Sequence, residues 1–466
     1  MPVSVIVTHG EDKGIGWSVL RVRAGEGPGV VLSGGFFFLL LFGYFLIRPV
    51  REAMGVQRSM GDLRWLFVTT CAVSLLVTLL FGGVVSRLDR ARFIPLGLRV
   101  VVVCLLVFMS LLAAFDGRAS VGTGYVFYVW LSVMNVFMVS VFWAFMNDVW
   151  TLEQGKRVFP AIAVGGTCGA FLGSMTAWQI ADEVGALWQM AIAALMFEGA
   201  VWLMRGVDSR AHISEDVRDR AGGRSDGRLG GTWIDGMRAL GRSPYLMGIG
   251  GYIVLMAVSS TLLYFTQARL VVDASDELES RVGLFAQLDM WTQGATLLAQ
   301  LFLTGRLIRW VGVGWTLAVL PIVTVVGFGV LAWVSSLDSV EGWQVFGVFA
   351  AFNALHRATR YAIARPARET LFAVVSRSEK YKAKPIVDVF LYRGGDVAGT
   401  GVDAWLAGMS AGLAGVALFA GPMAVLWCGL GLWLAWRQSE LAKGLDTTRE
   451  GSADADRETG AIPGGV

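Results

Sequence analysis

Apolar residues in this chain gather in windows of roughly 20, the length that crosses a bilayer core. Twelve such windows occur, at 30–50, 65–85, 93–115, 125–149, 158–180, 187–204, 245–266, 282–303, 308–334, 343–363, 385–406 and 413–436. Within them polar residues do not recur at a period of two, as strands of a membrane barrel require. The pattern predicts an all-α polytopic membrane protein with 12 transmembrane helices. A polar stretch at 205–243 follows the sixth window and divides the chain six plus six, in two pseudo-symmetric halves. The expected organisation is an N-terminal segment at 1–29, a six-helix half at 30–204, a linker at 205–243, a second half at 244–436 and a tail at 437–466.

Composition agrees with that reading. Of the 466 residues, 55% are hydrophobic and 16% charged, against about 25% charged in soluble domains. Residues 1–29 hold no apolar run of signal-peptide type, so the first window is expected to act as its own signal. The basic or mixed stretches are 87–92, 153–157, 205–243, 306–309, 377–384 and the tail. They alternate with the less basic loops 116–124, 182–185 and 335–342. The excess of Lys and Arg belongs on the cytoplasmic side, which places both termini in the cytoplasm. The linker reads as solvated and the tail as disordered. A net charge of +3 points to no nucleic-acid partner; the bilayer is the expected partner. Cys71, Cys104, Cys168 and Cys428 all fall in apolar windows, and His9, His212 and His356 form no ligand pattern. No metal and no cofactor is expected.

Small residues recur in both halves. Gly165-Gly166, Gly169-Ala170 and Trp178 are echoed by Gly394-Gly395, Ala398-Gly399 and Trp405. Such four-residue spacing lets membrane helices approach closely. Duplicated halves are a common transporter design, with a central site between them.

Charges inside the windows are the candidate chemistry, because each costs about 2.5–3.5 kcal/mol at mid-bilayer on insertion scales. Arg357, Arg360, Tyr361, Arg365 and Arg368 share one broad face of an ideal helix. Cations on one stripe line water, pair with carboxylates or bind an anion; those nearest the rim also fit as snorkelling side chains. Arg48, Arg51 and Glu52 close the first window, where Pro49 marks a kink or a stop. His356 beside Arg357 reads as a packed neutral side chain.

Two sets of motifs carry a family resemblance. Gly82-Gly83, Arg87, Asp89, Arg90 and Arg92 resemble the loop signature of the major facilitator superfamily, with a weaker echo at Gly305, Arg306 and Arg309. The run Tyr44, Arg48, Arg51-Glu52, Gly55-Val56 resembles the first motif of the ATP/ADP translocase family of plastids and intracellular bacteria. Phe142-Trp143, Asn147, Glu153, Lys156-Arg157, Phe159 is similar to its Trp–Asn–Glu-Ala-Lys-Arg-Phe signature. Pro366 to Phe372 and the run Lys382, Lys384, Asp388, Arg393-Gly394, Gly399 resemble two further motifs, in the family's order. The resemblance implies a twelve-helix major-facilitator fold in a bacterial inner membrane, as a monomer, moving an anionic nucleotide-like solute. It departs at Arg51, where the family has Lys, and at Asp396, where it also has Lys, so whether Asp396 excludes ATP and ADP stays open.

The charge pattern and the resemblance together nominate solute-binding and gating residues. Expected to bind solute are Arg48, Arg51, Glu52, Asn147, Lys156, Arg357, Arg360, Tyr361, Glu369, Asp388 and Arg393. Expected to hold gates are Arg87, Asp89, Arg90, Glu153, Arg157, Arg368 and Lys384. Arg offers a planar fork to phosphate oxygens and Lys a point charge. No Gly-x4-Gly-Lys-Ser/Thr loop, HExxH or serine elbow occurs, so a non-enzyme is expected. The reading is a secondary-active transporter of an anionic, nucleotide-like or organic phosphate solute by alternating access. Its alternative is a transport-dead membrane scaffold or sensor on the same fold.

Overall fold

A computed structural model of the chain describes residues 26–85, 90–115, 118–218, 233–376, 379 and 383–459. These are helical almost throughout, with no strand among the described residues. Backbone groups in an apolar medium need partners within the segment, and the helix supplies them. In chain order the helices are α1 (Gly27–Gly55), α2 (Met60–Val85), α3 (Arg90–Ala114), α4 (Arg118–Val149), α5 (Leu152–Arg218) and α6 (Trp233–Arg242). They continue as α7 (Pro244–Ala274), α8 (Leu278–Phe302), α9 (Thr304–Ser335), α10 (Gly342–Ala358), α11 (Arg365–Leu371), α12 (Tyr392–Gly408) and α13 (Gly412–Thr459). A π-helical turn, Thr359–Ala364, joins α10 to α11, and a second, Ile386–Leu391, leads into α12.

The long run of α5 is two arms. Gly185, at φ 67 and ψ 174, breaks it in a conformation that only glycine takes freely. The end of the molecule where α1 begins is called the near end, and the end carrying the α1–α2 turn the far end. The chain then runs back and forth between the two.

Two bundles result. In the first, α1 lies along α5 and also packs on α4, while α3 packs on α5 and α2 on α4. In the second, α7 packs on α12 and α13, α9 on α13, and α10 on α8 and α9. The bundles meet where α5 and α1 face α8 and where α2 faces α12. The glycine repeat has the same use in each bundle. A Cβ on Gly165 would come within 3.1 Å of the Gly34 Cα, and Cβ atoms on Gly169 and Gly173 would run into the Phe38 and Phe42 carbonyl oxygens. In the second bundle a Cβ on Gly395 would lie 3.0 Å from the Val254 carbonyl oxygen, and one on Gly399 3.1 Å from the Val258 Cα. Each glycine helix thus seats against the backbone of the first long helix of its own bundle.

Eight helices are long and apolar enough to cross a membrane, so the chain is a multi-pass membrane protein. The expected count of twelve is not reached by that measure. The run α5 holds two of the expected windows. The helix at 282–303 falls outside the eight because Asp289 and its glutamines make it less apolar, and those at 343–363 and 385–406 because π turns break them into α-helices of 17 residues. The linker expected at 205–243 is partly helical, since α5 continues to Arg218 and α6 begins at Trp233. The tail expected to be disordered from 437 continues α13 to Thr459; its Ala, Glu, Leu and Arg residues favour helix. Arg87 and Asp89 lie outside the described residues, and of Arg90 only its place at the start of α3 is described.

The α1–α5 seam gives a direct test. Gly169→Leu should lower the melting temperature of the solubilised protein, with a cost of about 1–3 kcal/mol or more from overpacking. Gly401→Ala, whose Cβ would meet open space, should leave it within about a degree or two.

Candidate functional site

Between the bundles lies a cavity of about 540 Å³, within the range of small-molecule sites. Helices α1, α2, α4 and α5 supply its walls on one side. Helices α7, α8, α10, α11, α12 and the first π turn supply them on the other. Six arginines line it: Arg48, Arg51, Arg357, Arg360, Arg365 and Arg393. The lining carboxylates are Glu52 and Asp396. Even with Asp289 counted behind the wall, positive charge stays in excess.

A chain of alternating charges runs across the cavity. Arg51 pairs with Glu52, and the Arg48 Nη2 lies 3.4 Å from the Glu52 Oε1. Arg48 reaches over to Asp289 on α8, whose Oδ1 also accepts from the Arg357 Nη1 at 3.2 Å. The two bundles are therefore joined by one buried carboxylate held between an arginine from each. Glu52 is held from the second bundle too, by the Tyr264 hydroxyl donating at 2.7 Å, and the Tyr264 and Tyr128 hydroxyls lie 2.7 Å apart. Arg51 donates to the Ser132 Oγ at 2.8 Å and sits over the Tyr128 ring at 4.9 Å. Glu52 and Asp289 are each 1% exposed. At that depth, stripping one partner from an ion pair typically costs 3–5 kcal/mol.

The second bundle adds a further set. Arg360 donates to the Tyr392 hydroxyl and lies over two rings, those of Tyr361 at 5.2 Å and Tyr392 at 5.4 Å. Arg393 pairs with Asp396 at 3.1 Å, and Asp396 accepts from the Thr261 hydroxyl at 3.3 Å. His356 is fully buried, with its Nε2 3.4 Å from the Ser259 Oγ, as a packed residue.

The expected solute-binding residues separate into two groups. Arg48, Arg51, Glu52, Arg357, Arg360, Tyr361 and Arg393 line the cavity. Asn147 and Lys156 are exposed and lie outside the lining; Asn147 donates to the Trp143 carbonyl at 2.9 Å and Lys156 pairs with Glu153 at 3.0 Å. Glu369 and Asp388 also lie outside it, in a near-end cluster of the second bundle. There Arg368 pairs with both at 3.1 Å, and Lys384 pairs with Glu369 at 2.6 Å. Arg157 holds Glu26, the residue before α1, at 2.6 Å.

Asp289 and Asp403 were not singled out by the sequence. Asp403 on α12 is fully buried; it takes Arg64 of α2 at 2.9 Å and pairs with Arg269 of α7. Beside it at the far end, the Arg281 Nη1 donates to the Val56 carbonyl at 3.3 Å. The available signal was an acid inside an apolar window, alone at Asp289 and the third of three at Asp403.

Known proteins of similar sequence and fold are transporters. No family model matches the chain. It is 23% identical over 308 residues to ADP,ATP carrier protein 1 of Chlamydia pneumoniae, an alignment covering 59% of this chain and 58% of the relative. The ADP,ATP carrier protein 1 of Chlamydia muridarum is 22% identical over 303 residues, covering 58% and 55%. The chain resembles the bacterial ADP,ATP carriers. It spans somewhat over half the length of those carriers. Among solved structures, a bacterial homologue of the human lysosomal transporter Spinster, in an inward-facing and unoccupied conformation, matches with a TM-score of 0.52. That match covers 90% of this chain and 94% of the other at 14% identity, and it shows a shared fold. In this chain Arg48 of α1, from the first motif, and Arg357 of α10 meet at a single acid.

Asp289→Asn should lower the melting temperature of the solubilised carrier-like protein. Adding Arg357→Gln should recover part of the loss, with a coupling of about 1–3 kcal/mol in a double-mutant cycle. Strict additivity would show that the two residues do not act as a pair.

Proposed function

We propose that the protein is a secondary-active transporter of an anionic organic phosphate or nucleotide-like solute, working by alternating access. On this reading twelve helices cross a bacterial inner membrane as two six-helix halves, with both termini and the near end in the cytoplasm. The observation that carries it is the arginine-lined cavity between the bundles, where the positive charge exceeds the carboxylates that hold it. Guanidinium groups suit phosphate oxygens because the planar fork donates two parallel bonds.

The distribution of ion pairs supports the rocking of two halves. Those that cross between the bundles, among the described residues, lie at the centre, Arg48–Asp289, and toward the far end, Arg64–Asp403. The near-end pairs Arg157–Glu26, Arg368–Asp388 and Lys384–Glu369 each stay within one bundle. Near-end lining residues Tyr361 and Arg365 are exposed, whereas Arg51 and Glu52 are buried. This is an inward-facing arrangement, latched at the outer end. Solute binding competes with Glu52 and Asp289 for the same arginines, and that differential interaction couples binding to rearrangement.

Purified protein in vesicles tests the reading. Saturable uptake of a labelled organic phosphate is expected, and Arg51→Gln or Arg357→Gln should abolish it while the protein stays in the membrane. Uptake that survives both substitutions would contradict the proposal. Cysteines at positions 64 and 403, joined by a bifunctional thiol reagent, should stop uptake, and cleaving the linker should restore it.

A further inference from the structure

The lining arginines are not equivalent. Arg48, Arg51, Arg357 and Arg393 are each tied to a carboxylate. Among the described residues no ion pair is made by Arg360 or Arg365. Arg360 has aromatic company and the Tyr392 hydroxyl instead, and Arg365 is exposed at the cavity edge.

The backbone brings this pair together. On a regular α-helix, five residues at about 100° each leave two side chains about 140° apart. The turn Thr359–Ala364 is instead π-helical, and the Arg365 N–H donates to the Arg360 carbonyl, a bond between residues five apart. Residues so bonded stand one above the other, so Arg365 is stacked one turn beyond Arg360 on the cavity side. Such single wide turns are uncommon and frequently mark functional sites. Here the wide turn brings the two edges of that broad face into line, so that Arg365 becomes the second member of a guanidinium pair.

We infer that the solute's charged end docks on Arg360 and Arg365, bracketed by Tyr361 and Tyr392. The carboxylate-bound cluster around Asp289 is engaged only afterwards. This rests on the transporter reading above. The chemistry it selects is a group with several anionic oxygens spread over two centres, such as a diphosphate, since two stacked forks offer parallel donors at two levels. A single carboxylate satisfies one fork and leaves the other unmatched. Entry is cheap for such a ligand, because neither arginine gives up a carboxylate to receive it.

The test is calorimetric binding of inorganic pyrophosphate to the purified full-length chain in detergent. Wild type should bind saturably. Arg360→Gln and Arg365→Gln should each weaken binding at least fivefold, and Arg365→Lys, a change at an exposed position that keeps the charge, should fall between. Arg99→Gln, on α3 outside the cavity lining and paired with Glu198, should change it less than threefold. A melting curve for each variant confirms that it is folded. Saturable binding weakened less than fivefold by both Gln variants overturns the docking inference. So does a wild type that does not bind pyrophosphate. In either case, uptake of labelled organic phosphates into vesicles decides the transporter reading separately.

Discussion

The structure depends on one constraint: arginines that an apolar chain carries into its interior have to be neutralised there. Asp289 answers it at the centre by taking Arg48 from one bundle and Arg357 from the other. Because the acid is shared, neither bundle is electrically complete without its partner. The glycine seams α1–α5 and α7–α12 make each bundle close-packed within itself. The junction between bundles adds polar bridges, Arg48–Asp289, Tyr264–Glu52 and Arg64–Asp403, to apolar packing such as that of Phe67 on Tyr264 and Phe265.

That division explains the cavity. A site lined by arginines and tyrosines survives inside an apolar protein only where counter-charges and water reach it. The carboxylates hold the guanidinium groups in place without filling the space between them. On the proposed reading, an anion arriving in that space would meet donors already oriented, which lowers the ordering cost of binding. The first π turn of the second bundle puts Arg360 and Tyr361 into the cavity, and the second leads into α12, whose Tyr392, Arg393 and Asp396 line it. The first bundle contributes fewer charges, from the last two turns of α1.

Much of this was legible in the sequence. Apolar windows locate the helices, since lipid leaves the backbone no alternative, and the glycine pairs mark the seams. Arg51, Arg357 and Arg360 were found because isolated charges in apolar runs are expensive. What was not legible has physical reasons. Asp289 and Asp403 matter through partners more than 60 residues away, a separation that no local pattern encodes. Periodicity put Arg365 on the same face as Arg360, but its alignment directly beyond Arg360 depends on a wide turn that no local pattern encodes. Asn147 and Lys156 belong to a motif whose resemblance is genuine, yet both side chains sit at an exposed near-end rim. The polar linker and tail read as unstructured from composition, although parts of both have sufficient helix propensity to continue α5 and α13.

The central claim is that an anion acts on the junction between two rigid bundles. Spin labels at positions 65 and 405, exposed far-end sites on α2 and α12, report the separation of the bundles directly. Saturating pyrophosphate should shift the distance distribution toward a wider far end, and an uncharged solute should leave it unchanged. A distribution that stays the same with the anion bound would contradict the account.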